Sequence, residues 1–380
     1  MKRIETIGVI GGGQLGRMFA LDAKRMGYHV LTLDPQEHSP CGQIADEQIV
    51  AAYSDLRAIE ELGRRSDVIT YEFENIDIAS VRHLEAMSHR VAPSSSVLLV
   101  TQNRLREKEF LRDAGLATTD FARVAGFEEL EAAAERIGFP AILKTAAGGY
   151  DGKGQWPASS LVQARAALTA ADGAELIWER RVDLACELSV ISTRNARDEI
   201  VAYPVAENTH DRGILSMTIA PARVDEATAL LAQRMAETVG HRLKIVGTYC
   251  VEFFLSTAGE LLVNEIAPRP HNSGHYTIDV TPCSQYEQHV RAICDLPLSP
   301  PRLLTNAVML NILGDGTGDH LDGVAELLSD PAIVLHVYGK RHAVARRKMG
   351  HFTMLVDGPV GDDAIARAHA AHAKLHWSYA

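Results

Sequence analysis

A lysine near the end of a short apolar stretch is followed closely by a glycine-dense loop. Lys144 lies in the predicted strand Ala141–Thr145, and Gly148-Gly-Tyr-Asp-Gly-Lys-Gly154 comes after it. The amides of such a backbone can wrap around phosphate oxygens, and the two lysines supply countercharge. The loop is not a Walker A motif, because Gly154 rather than Ser or Thr follows Lys153. The pattern favours a nucleotide-phosphate site over the alternative, a solvated lysine beside a flexible hairpin.

Two glutamates lie on consecutive predicted strands. Glu252 and Glu265 are separated by a turn through Thr257-Ala-Gly259. Antiparallel pairing would bring the carboxylates opposite or nearly opposite each other, and at about 4 Å and an effective dielectric of about 20 they repel by roughly 4 kcal/mol. A bridging divalent cation removes this conflict, and oxygen ligands suit Mg²⁺. The apolar neighbours argue against two solvated surface glutamates, so the pair predicts a magnesium site, with Asn264 as a further oxygen ligand.

A polar segment follows the second glutamate strand directly. It reads Ala267-Pro-Arg-Pro-His-Asn-Ser-Gly-His-Tyr-Thr277, and its two prolines stiffen the chain just beyond the predicted metal ligand. A lone arginine or histidine is more often a surface residue, but here several hydrogen-bonding groups converge. The candidates for chemistry in this segment are Arg269, His271, Asn272 and Ser273.

The charge balance makes one basic cluster informative. The chain has 38 Lys and Arg against 49 Asp and Glu, a formal net charge of −11, which argues against general nucleic-acid binding. An acidic chain that binds a phosphorylated substrate needs a local basic cluster, and Lys340, Arg341, Arg346, Arg347 and Lys348 provide one. The alternative is an ordinary solvated charge run.

The amino-terminal glycines offer a competing interpretation. Gly11-Gly-Gly13-Gln-Leu-Gly16 satisfies G-x-G-x-x-G after a predicted strand, and Asp34 ends the next strand, as in a dinucleotide-binding fingerprint. On these residues alone a nicotinamide dehydrogenase is as good a hypothesis as any. The other interpretation is a tight turn whose amides bind some other anion at a helix amino-terminus. The motifs above favour the second interpretation.

The elements that must hold these residues predict an α/β (α+β) chain. The first hundred residues alternate apolar strands with helical patterns, which indicates a parallel sheet. A helical, increasingly charged stretch from Ser94 to Ala114 leads into a small unit, and long strands follow Val182. At 380 residues the chain exceeds one hydrophobic core. We expect three units, residues 1–103, 104–179 and 180–380.

The composition predicts a cytoplasmic location. Five scattered cysteines fit reduced thiols. The Ile7–Ile10 run is too short for a signal-peptide core, and no stretch approaches the roughly 18 apolar residues of a membrane span. We therefore expect no membrane and no nucleic-acid partner.

The motifs together resemble one enzyme superfamily. The lysine strand, the G-G-Y-D-G-K-G-Q loop and the strand ending in N-E-I-A-P-R-P-H-N-S-G-H-Y-T are similar to the ATP-grasp superfamily. Within it they resemble the N5-carboxyaminoimidazole ribonucleotide synthases, which carboxylate aminoimidazole ribonucleotide with ATP and bicarbonate. Further matching segments are Gly11–Gly16, Tyr71-Glu-Phe-Glu-Asn-Ile76, Glu207-Asn-Thr-His210, Tyr338-Gly-Lys340 and Arg347-Lys-Met-Gly-His351. The sequence departs from the family at Ala345-Arg346, where Pro-Gly is usual.

The resemblance implies a fold and a set of ligands. It implies an ATP-grasp fold with an amino-terminal Rossmann-like (pre-ATP-grasp) domain, a small lid domain and a large domain carrying a β-rich carboxy-terminal extension. It implies Mg²⁺–ATP, bicarbonate and aminoimidazole ribonucleotide as ligands, carboxyphosphate as intermediate, a glycine loop that closes as a lid, and a homodimer.

The resemblance also implies residue roles. The nucleotide would be bound by Arg104, Lys144, Gly149, Tyr150, Asp151, Gly152, Lys153, Gly154, Gln155, the adenine linker Glu179, Arg180, Arg181 and Val182, then Glu187, His210, Asn264 and Glu265. Glu252 and Glu265 would hold Mg²⁺. The bicarbonate and the reacting amine would be surrounded by Tyr150, Asp151, Arg269, His271, Asn272 and Ser273. The ribonucleotide phosphate would meet Lys340 and Arg347, with Gln14 and Glu72 contacting the substrate from the first domain.

Three alternatives stay open. A formate-dependent glycinamide ribonucleotide transformylase shares the layout, although the Tyr71–Ile76 and Arg347–His351 segments favour the carboxylase. A nicotinamide oxidoreductase leaves the glutamate pair unexplained. A non-catalytic nucleotide-binding regulator would lack part of the set formed by Lys144, Glu252, Glu265 and Arg269.

Overall fold

The computed structural model describes residues 4–149, 154–171 and 173–379. The first part is a parallel sheet with helices on both faces, as the alternating pattern predicts. Its elements are β1 (Thr6–Ile10), α1 (Gln14–Arg25), β2 (His29–Leu33), β3 (Glu47–Ile49), α2 (Leu56–Arg65), β4 (Val68–Tyr71) and α3 (Ile78–Ala86). The strand order is β3-β2-β1-β4. Alternate residues of β1 serve opposite faces, since Ile7 and Val9 pack with α1 while Ile10 packs with α2 and α3.

The stretch predicted to be helical from Ser94 to Ala114 consists of two helices. They are α4 (Ser95–Thr101) and α5 (Arg104–Asp113). The break comes at Asn103, whose side-chain oxygen accepts the backbone N–H groups of Leu105 and Arg106 and so starts a new helix. This cap fixes the start of α5 and therefore the position of Arg104, its first residue.

The small unit is an antiparallel sheet covered by two helices. Its elements are β5 (Phe121–Val124), α6 (Phe127–Ile137), β6 (Ala141–Thr145), β7 (Gln155–Ala158), α7 (Leu161–Ala170) and β8 (Leu176–Arg180), with the strand order β5-β8-β6-β7. The glycine loop joins β6 to β7, and residues 150–153 of that loop lie outside the described ranges.

The large unit is built on one antiparallel sheet. Its strands are β9 (Leu184–Arg194), β10 (Ile200–Ala202), β11 (Ala206–Asp211), β12 (Ile214–Ala220), β13 (Gly247–Ser256), β14 (Leu261–Ala267) and β15 (Asn306–Leu313), followed by β16 (His320–Asp322), β17 (Ile333–Val337), β18 (Lys348–Val356) and β19 (His376–Ser378). The order is β14-β13-β9-β11-β12-β15-β18-β17, with β10 on β9, while β16 and β19 pair separately. The carboxy-terminal extension therefore continues the same sheet.

Helices complete the large unit and connect it to the first. They are α8 (Glu226–Leu243), a 3₁₀ turn (Asn272–Gly274), α9 (Thr277–Val280), α10 (Gln285–Ile293), α11 (Val324–Leu328) and α12 (Asp362–His372). One face of β9 and β13 packs against α8. Tyr286 and Val290 of α10 share a core with β1 and α1. Within the described ranges, no helix has the length and apolar character that crossing a membrane requires.

The predicted unit boundaries stay predictions. The boundary at residue 104 falls at the start of α5, yet Leu111 of that helix packs in the core of the large sheet. The core of the small sheet starts with Val124.

Candidate functional site

A cavity of about 1010 Å³ lies between the small sheet, the large sheet and the first unit. This is the size of a nucleotide-binding cleft. The predicted residues that line it are Arg104, Lys144, Gly149, Gln155, Glu179, Arg180, Arg181, Val182, Glu187, His210, Glu252, Asn264, Glu265, Arg269 and His271. The predictions for Tyr150, Asp151, Gly152 and Lys153 fall outside the described residues. The chain thus brings most of the predicted ATP, metal and bicarbonate residues to one space.

A buried carboxylate holds the predicted phosphate-binding lysine. Lys144 Nζ lies 2.7 Å from Glu179 Oε2, and Lys108 Nζ lies 3.1 Å from Glu179 Oε1. Burial opposes the charge of Glu179, but the two lysines hold its pKa well below the ordinary range. Glu179 therefore stays ionised and fixes the ammonium group of Lys144 at the cavity wall.

Arg104 holds the base of the glycine loop. Its guanidinium donates to the carbonyl of Thr145 at 2.7 Å and to the carbonyl of Gly149 at 3.0 Å. Gly154 closes the other end, where its carbonyl accepts the N–H of Thr145 at 2.9 Å. Gly154 has φ 69°, and a Cβ there would lie 2.6 Å from Thr145 Oγ1, so glycine is required.

The glutamate pair is opposed as predicted. Glu252 of β13 pairs in register with Glu265 of β14, and the register shifts directly afterwards, which leaves Asn264 as the extra residue of a bulge. Consecutive strand residues normally point to opposite faces, but a bulge changes their directions. Here the consecutive residues Asn264 and Glu265 both line the cavity. Burial and Glu265 raise the pKa of Glu252, and the same two causes raise the pKa of Glu107, a third carboxylate on the cavity wall.

The crowded carboxylates fit a divalent cation. Glu252 is ionised only at a cost in this structure, and a positive ion between the two strands would remove that cost. Glu252, Glu265 and Asn264 supply oxygen donors on one wall, which suits Mg²⁺ rather than a softer metal.

Arg269 and His271 occupy the same wall. Arg269 Nε donates to Glu74 Oε2 of the first unit, and Arg269 holds the pKa of Glu74 below its ordinary value despite burial. His271 Nε2 lies 3.3 Å from Glu252 Oε1. Burial, with Arg269 nearby, lowers the pKa of His271 well below its ordinary range.

Asn272 and Ser273 lie behind this wall, each less than a tenth exposed. Both polar atoms of the Asn272 side chain are buried and have no hydrogen-bond partner among the described residues, which is unusual for an amide. Ser273 Oγ instead lies 2.9 Å from His271 Nδ1.

Glu187 and His210 form a pair on the adjoining strands. Their side chains hydrogen-bond through Nδ1 of His210. Burial lowers the pKa of His210, but Glu187 and Glu252 outweigh it and raise that pKa overall. A carboxylate at this position fits the predicted contact with ribose hydroxyls.

The amino-terminal glycine turn binds carboxylates of its own chain. Glu72 accepts the N–H groups of Gly13 and of Gly16, the latter at 2.8 Å, and Asp34 accepts the N–H of Gly12 at 2.7 Å. The pKa of Glu72 is raised overall, because the effect of burial exceeds the lowering by the Gly13 and Gly16 amides and by Lys340. The anion at the amino-terminus of α1 is therefore the Glu72 side chain. The dinucleotide interpretation needs the glycine turn and Asp34 for binding a cofactor, but the turn is instead bonded to Asp34 and to Glu72.

The carboxy-terminal hairpin meets the first unit at this turn. Gln43 Nε2 donates to the carbonyl of Gly339 at 2.8 Å, and the Lys340 charge is close enough to lower the Glu72 pKa. Lys340 Nζ donates to the carbonyl of Lys348 at 2.5 Å. The structure thus brings two of the predicted ribonucleotide contacts, Glu72 and Lys340, near each other from distant parts of the sequence.

The departure at Ala345-Arg346 has a measurable consequence. Arg346 adopts φ 64°, the left-handed region that a glycine occupies without strain. The backbone of the turn therefore keeps a conformation that suits the usual glycine, and the arginine adopts it with strain. Arg347 and Lys348 follow it directly, and Lys348 lines the cavity.

Comparison with known proteins gives one consistent result. Residues 4–102 match the ribonucleotide synthetase preATP-grasp domain, 109–286 the ATP-grasp domain and 307–359 the phosphoribosylaminoimidazole carboxylase C-terminal domain. The N5-carboxyaminoimidazole ribonucleotide synthase of Bacillus subtilis is 45% identical over 351 residues, 92% of this chain and 91% of that protein. The chain belongs to the N5-carboxyaminoimidazole ribonucleotide synthase family.

Solved structures of this family have the same architecture. The ADP complex of one N5-carboxyaminoimidazole ribonucleotide synthetase superposes with TM-score 0.92 at 45% identity and covers 98% of both chains. A synthase from Aspergillus clavatus in complex with ADP and 5-aminoimidazole ribonucleotide gives TM-score 0.91 at 32% identity, covering 98% of this chain and 99% of that one.

Family membership confirms the predicted fold and enzyme class. The chain is an ATP-dependent ligase with an ATP-grasp domain between a pre-ATP-grasp domain and a carboxy-terminal domain. ATP with Mg²⁺ is the cofactor set of the family. The nicotinamide oxidoreductase alternative was wrong, and the roles of individual site residues stay predictions.

Sequence reasoning missed three groups on the cavity wall, namely Glu74, Glu107 and Lys108. A usable signal existed for two of them, because Glu107 and Lys108 stand three and four residues after Arg104 and so share its helix face. Glu74 lies within a segment that carried the family resemblance, but no local pattern shows that it turns toward the cavity. Lys348, which was predicted only as part of the basic cluster, lines the same cavity.

Proposed function

We propose that this chain joins bicarbonate to the exocyclic amine of 5-aminoimidazole ribonucleotide at the expense of ATP, giving N5-carboxyaminoimidazole ribonucleotide, ADP and phosphate. The observation that carries the proposal is the shared cavity. It places the Lys144 ammonium group, the opposed Glu252 and Glu265, and the Arg269–His271 segment on the walls of one space. The nucleotide, the metal and the amine that accepts the carboxyl group could therefore bind next to one another in this cavity.

In the first half-reaction a bicarbonate oxygen attacks the γ-phosphorus of ATP and ADP leaves, forming carboxyphosphate. Such a transfer needs positioning and charge stabilisation more than covalent help. Lys144 forms an ion pair with Glu179, and its ammonium group carries three N–H donors, so it would also donate to phosphate oxygens. When bound by Glu252, Glu265 and Asn264, Mg²⁺ supplies the positive charge that balances those oxygens.

In the second half-reaction the amine forms a C–N bond with the carboxyl carbon. In the direct route the amine attacks carboxyphosphate and phosphate leaves as its C–O bond breaks. In the other route carboxyphosphate first splits into CO₂ and phosphate, and the amine then adds to CO₂. In both routes the amine loses a proton. Arg269, fixed by Glu74, and His271 are placed to hold the carboxyl oxygens. Lys340 and Arg347 would bind the ribonucleotide phosphate at the hairpin.

An ADP-release assay tests the reaction. We expect release to require both aminoimidazole ribonucleotide and bicarbonate, and to be absent with glycinamide ribonucleotide and formate. Lys144→Ala should lower turnover on the order of 100-fold, the scale for losing one preorganised charge donor. Release driven by the formate pair would assign the sister activity instead, and an unaltered Lys144→Ala rate would remove that residue from the phosphate site.

The proposed assembly rests on family expectation alone, and the proposed location rests on the composition. A homodimer is expected, and light scattering on the purified chain measures it. The cytoplasmic location likewise remains a prediction.

A further inference from the structure

A row of buried polar side chains crosses one face of the large sheet and ends at His271. Thr218 of β12 stands opposite Asn208 of β11, and Ser189 of β9 stands opposite Glu252 of β13. Thr218 and Ser189 are 1% exposed and Asn208 5%. Burying such a group without a hydrogen bond costs roughly 1–3 kcal/mol, so three of them side by side require a partner each.

The partners form one continuous chain of hydrogen bonds. Thr218 Oγ1 lies 2.9 Å from Asn208 Oδ1, and Asn208 Nδ2 lies 2.9 Å from Ser189 Oγ. Ser189 Oγ lies 2.8 Å from Ser273 Oγ, which is fully buried and lies 2.9 Å from His271 Nδ1. The chain therefore runs from β12 across β11 and β9 to the imidazole ring beside the carboxylate pair.

One backbone amide fixes the direction of every bond in this chain. The N–H of Ser273 donates to His271 Nδ1 at 3.3 Å, and since an amide N–H only donates, Nδ1 must carry a lone pair. The Ser273 hydroxyl must then donate to Nδ1 as well, which uses its single hydrogen. It must accept from Ser189, and Ser189 must accept from the Asn208 amide nitrogen. The Asn208 oxygen is left to accept from Thr218.

The same reasoning fixes the tautomer of His271. A ring with a lone pair at Nδ1 carries its hydrogen at Nε2. Nε2 is the atom that lies 3.3 Å from Glu252 Oε1 and lines the cavity. His271 thus presents a donor to the predicted metal ligand and not a lone pair.

We propose that Thr218, Asn208, Ser189 and Ser273 are positioning residues that hold His271 as the Nε2–H tautomer. A hydrogen at Nε2, 3.3 Å from Glu252 Oε1, puts no competing lone pair beside the predicted metal ligand and leaves its oxygens for a cation. His271 is then a hydrogen-bond donor in the cavity and does not accept the proton lost by bicarbonate or by the amine. This last point rests on the proposed function, whereas the tautomer does not.

Nitrogen NMR of the full chain tests the tautomer directly. With ¹⁵N-labelled histidine and no Mg²⁺ or substrate, correlations from the ring carbon-bound protons show which nitrogen is protonated. The His271 signals are those lost in His271→Gln. We expect Nε2 to be protonated and Nδ1 to carry the lone pair. A ring protonated at Nδ1, or at both nitrogens at neutral pH, overturns the proposal.

Asn208→Asp tests the chain, because a carboxylate only accepts. The Ser189 hydroxyl would turn toward it, and the Ser273 hydroxyl would turn from His271 toward Ser189. At Nδ1 the Ser273 N–H, at 3.3 Å, would then favour the lone pair while the Ser273 Oγ lone pair, at 2.9 Å, would favour a hydrogen. We therefore expect a mixture of the Nε2–H and Nδ1–H forms and a fall in kcat on the order of 10- to 100-fold, with KM for ATP unchanged. The wild-type tautomer still decides the proposal if this variant does not fold.

Thr353→Val is the matched control. Thr353 is a fully buried threonine of β18 in the same sheet, and no described residue hydrogen-bonds to its hydroxyl. The control should keep both the tautomer and kcat. Equal losses in Thr353→Val and Asn208→Asp, or an Asn208→Asp protein with wild-type tautomer and kcat, would refute the positioning role. An Nε2–H ring in a protein that does not carboxylate overturns only the proposed function.

Discussion

Three carboxylates crowd one end of the cavity, and their repulsion sets how the site responds to pH and to Mg²⁺. Glu265 is a cause of the raised pKa of both Glu252 and Glu107, after burial itself. A carboxyl group with a raised pKa binds more protons in the folded than in the unfolded state. Its contribution to stability is therefore present below its ordinary pKa and lost as the pH rises through the raised value.

Removing the Glu265 carboxylate should reduce the loss of stability that Glu252 and Glu107 cause as the pH rises. We predict that metal-free Glu265→Gln is more stable than wild type, and that its advantage grows between about pH 5 and about pH 8 as Glu252 and Glu107 ionise. The buried histidines whose pKa is lowered titrate in the same window with the opposite sign, but both proteins share them. Glu265 also raises the pKa of His210, and the loss of that effect changes the difference in the same direction as the carboxylates do. Denaturant unfolding at each pH measures it. An advantage that is constant with pH would contradict the coupling.

The same substitution should abolish the response to Mg²⁺. Wild type should gain thermal stability on adding Mg²⁺ because the cation binds only the folded carboxylate pair. Glu265→Gln should lose that gain together with Mg²⁺-dependent turnover, while still unfolding cooperatively. Glu260→Gln, on an exposed residue just before β14, is the control and should behave as wild type. Full turnover of Glu265→Gln at saturating Mg²⁺ would remove the ligand assignment.

At the scale of elements, α5 joins the two sheets that enclose the nucleotide cavity. Its Lys108 donates to Thr118 at 2.7 Å, to the Val263 carbonyl of β14 at 3.3 Å, and pairs with Glu179 of β8. Lys108 and Glu179 are each 2% exposed. One buried ammonium group therefore ties the small sheet to the large one and keeps Glu179 in place for Lys144.

Lys108→Met should weaken this connection. A buried ion pair that loses one partner costs roughly 3 kcal/mol or more, and the remaining Lys144 places the expected loss of unfolding free energy at about 3 kcal/mol. Adding Glu179→Gln should recover part of it, which a double-mutant cycle measures. Arg112→Met, on the exposed side of the same helix, should cost less than about 1 kcal/mol. Equal costs for the two methionine variants would show that Lys108 has no special role.

At the scale of the whole molecule, the residues predicted to bind the ribonucleotide come from both ends of the chain. Glu72 holds the turn that starts α1, Gln43 bonds to Gly339, and the Lys340 charge reaches Glu72. The ATP-side groups Lys144 and Arg104 belong to the middle of the sequence. The two substrates should therefore respond to separate sets of substitutions.

Lys340→Ala and Arg347→Ala should each weaken binding of the imidazole ribonucleotide at least tenfold. A charge-assisted contact with a phosphate is worth roughly 1.5–3 kcal/mol. ATP binding should be almost unchanged, and isothermal titration with each ligand alone reports both. Arg341→Ala, an exposed position of the same hairpin, controls for general charge loss. Variants that weaken ATP and spare the ribonucleotide would contradict this placement.

The sequence by itself determined the strand that carries Lys144, the opposition of Glu252 and Glu265, and the order of the three units. These are local properties, because strand period, turn residues and apolar runs are read within about ten residues. The family resemblance then supplied the ligands. It could not place residues 150–153, which stay outside the described part of the chain.

The tertiary structure alone decided which groups share the cavity. Three contacts show this: the bulge at Asn264, the turn of Glu74 toward Arg269 and the capture of the glycine amides by Glu72. The last two join residues that are at least 56 positions apart in the sequence. No local pattern encodes such contacts, since the side chain that fills a turn is chosen by packing of whole elements. For the same reason, a fingerprint that satisfies every local condition for a dinucleotide is occupied here by a carboxylate of the protein itself.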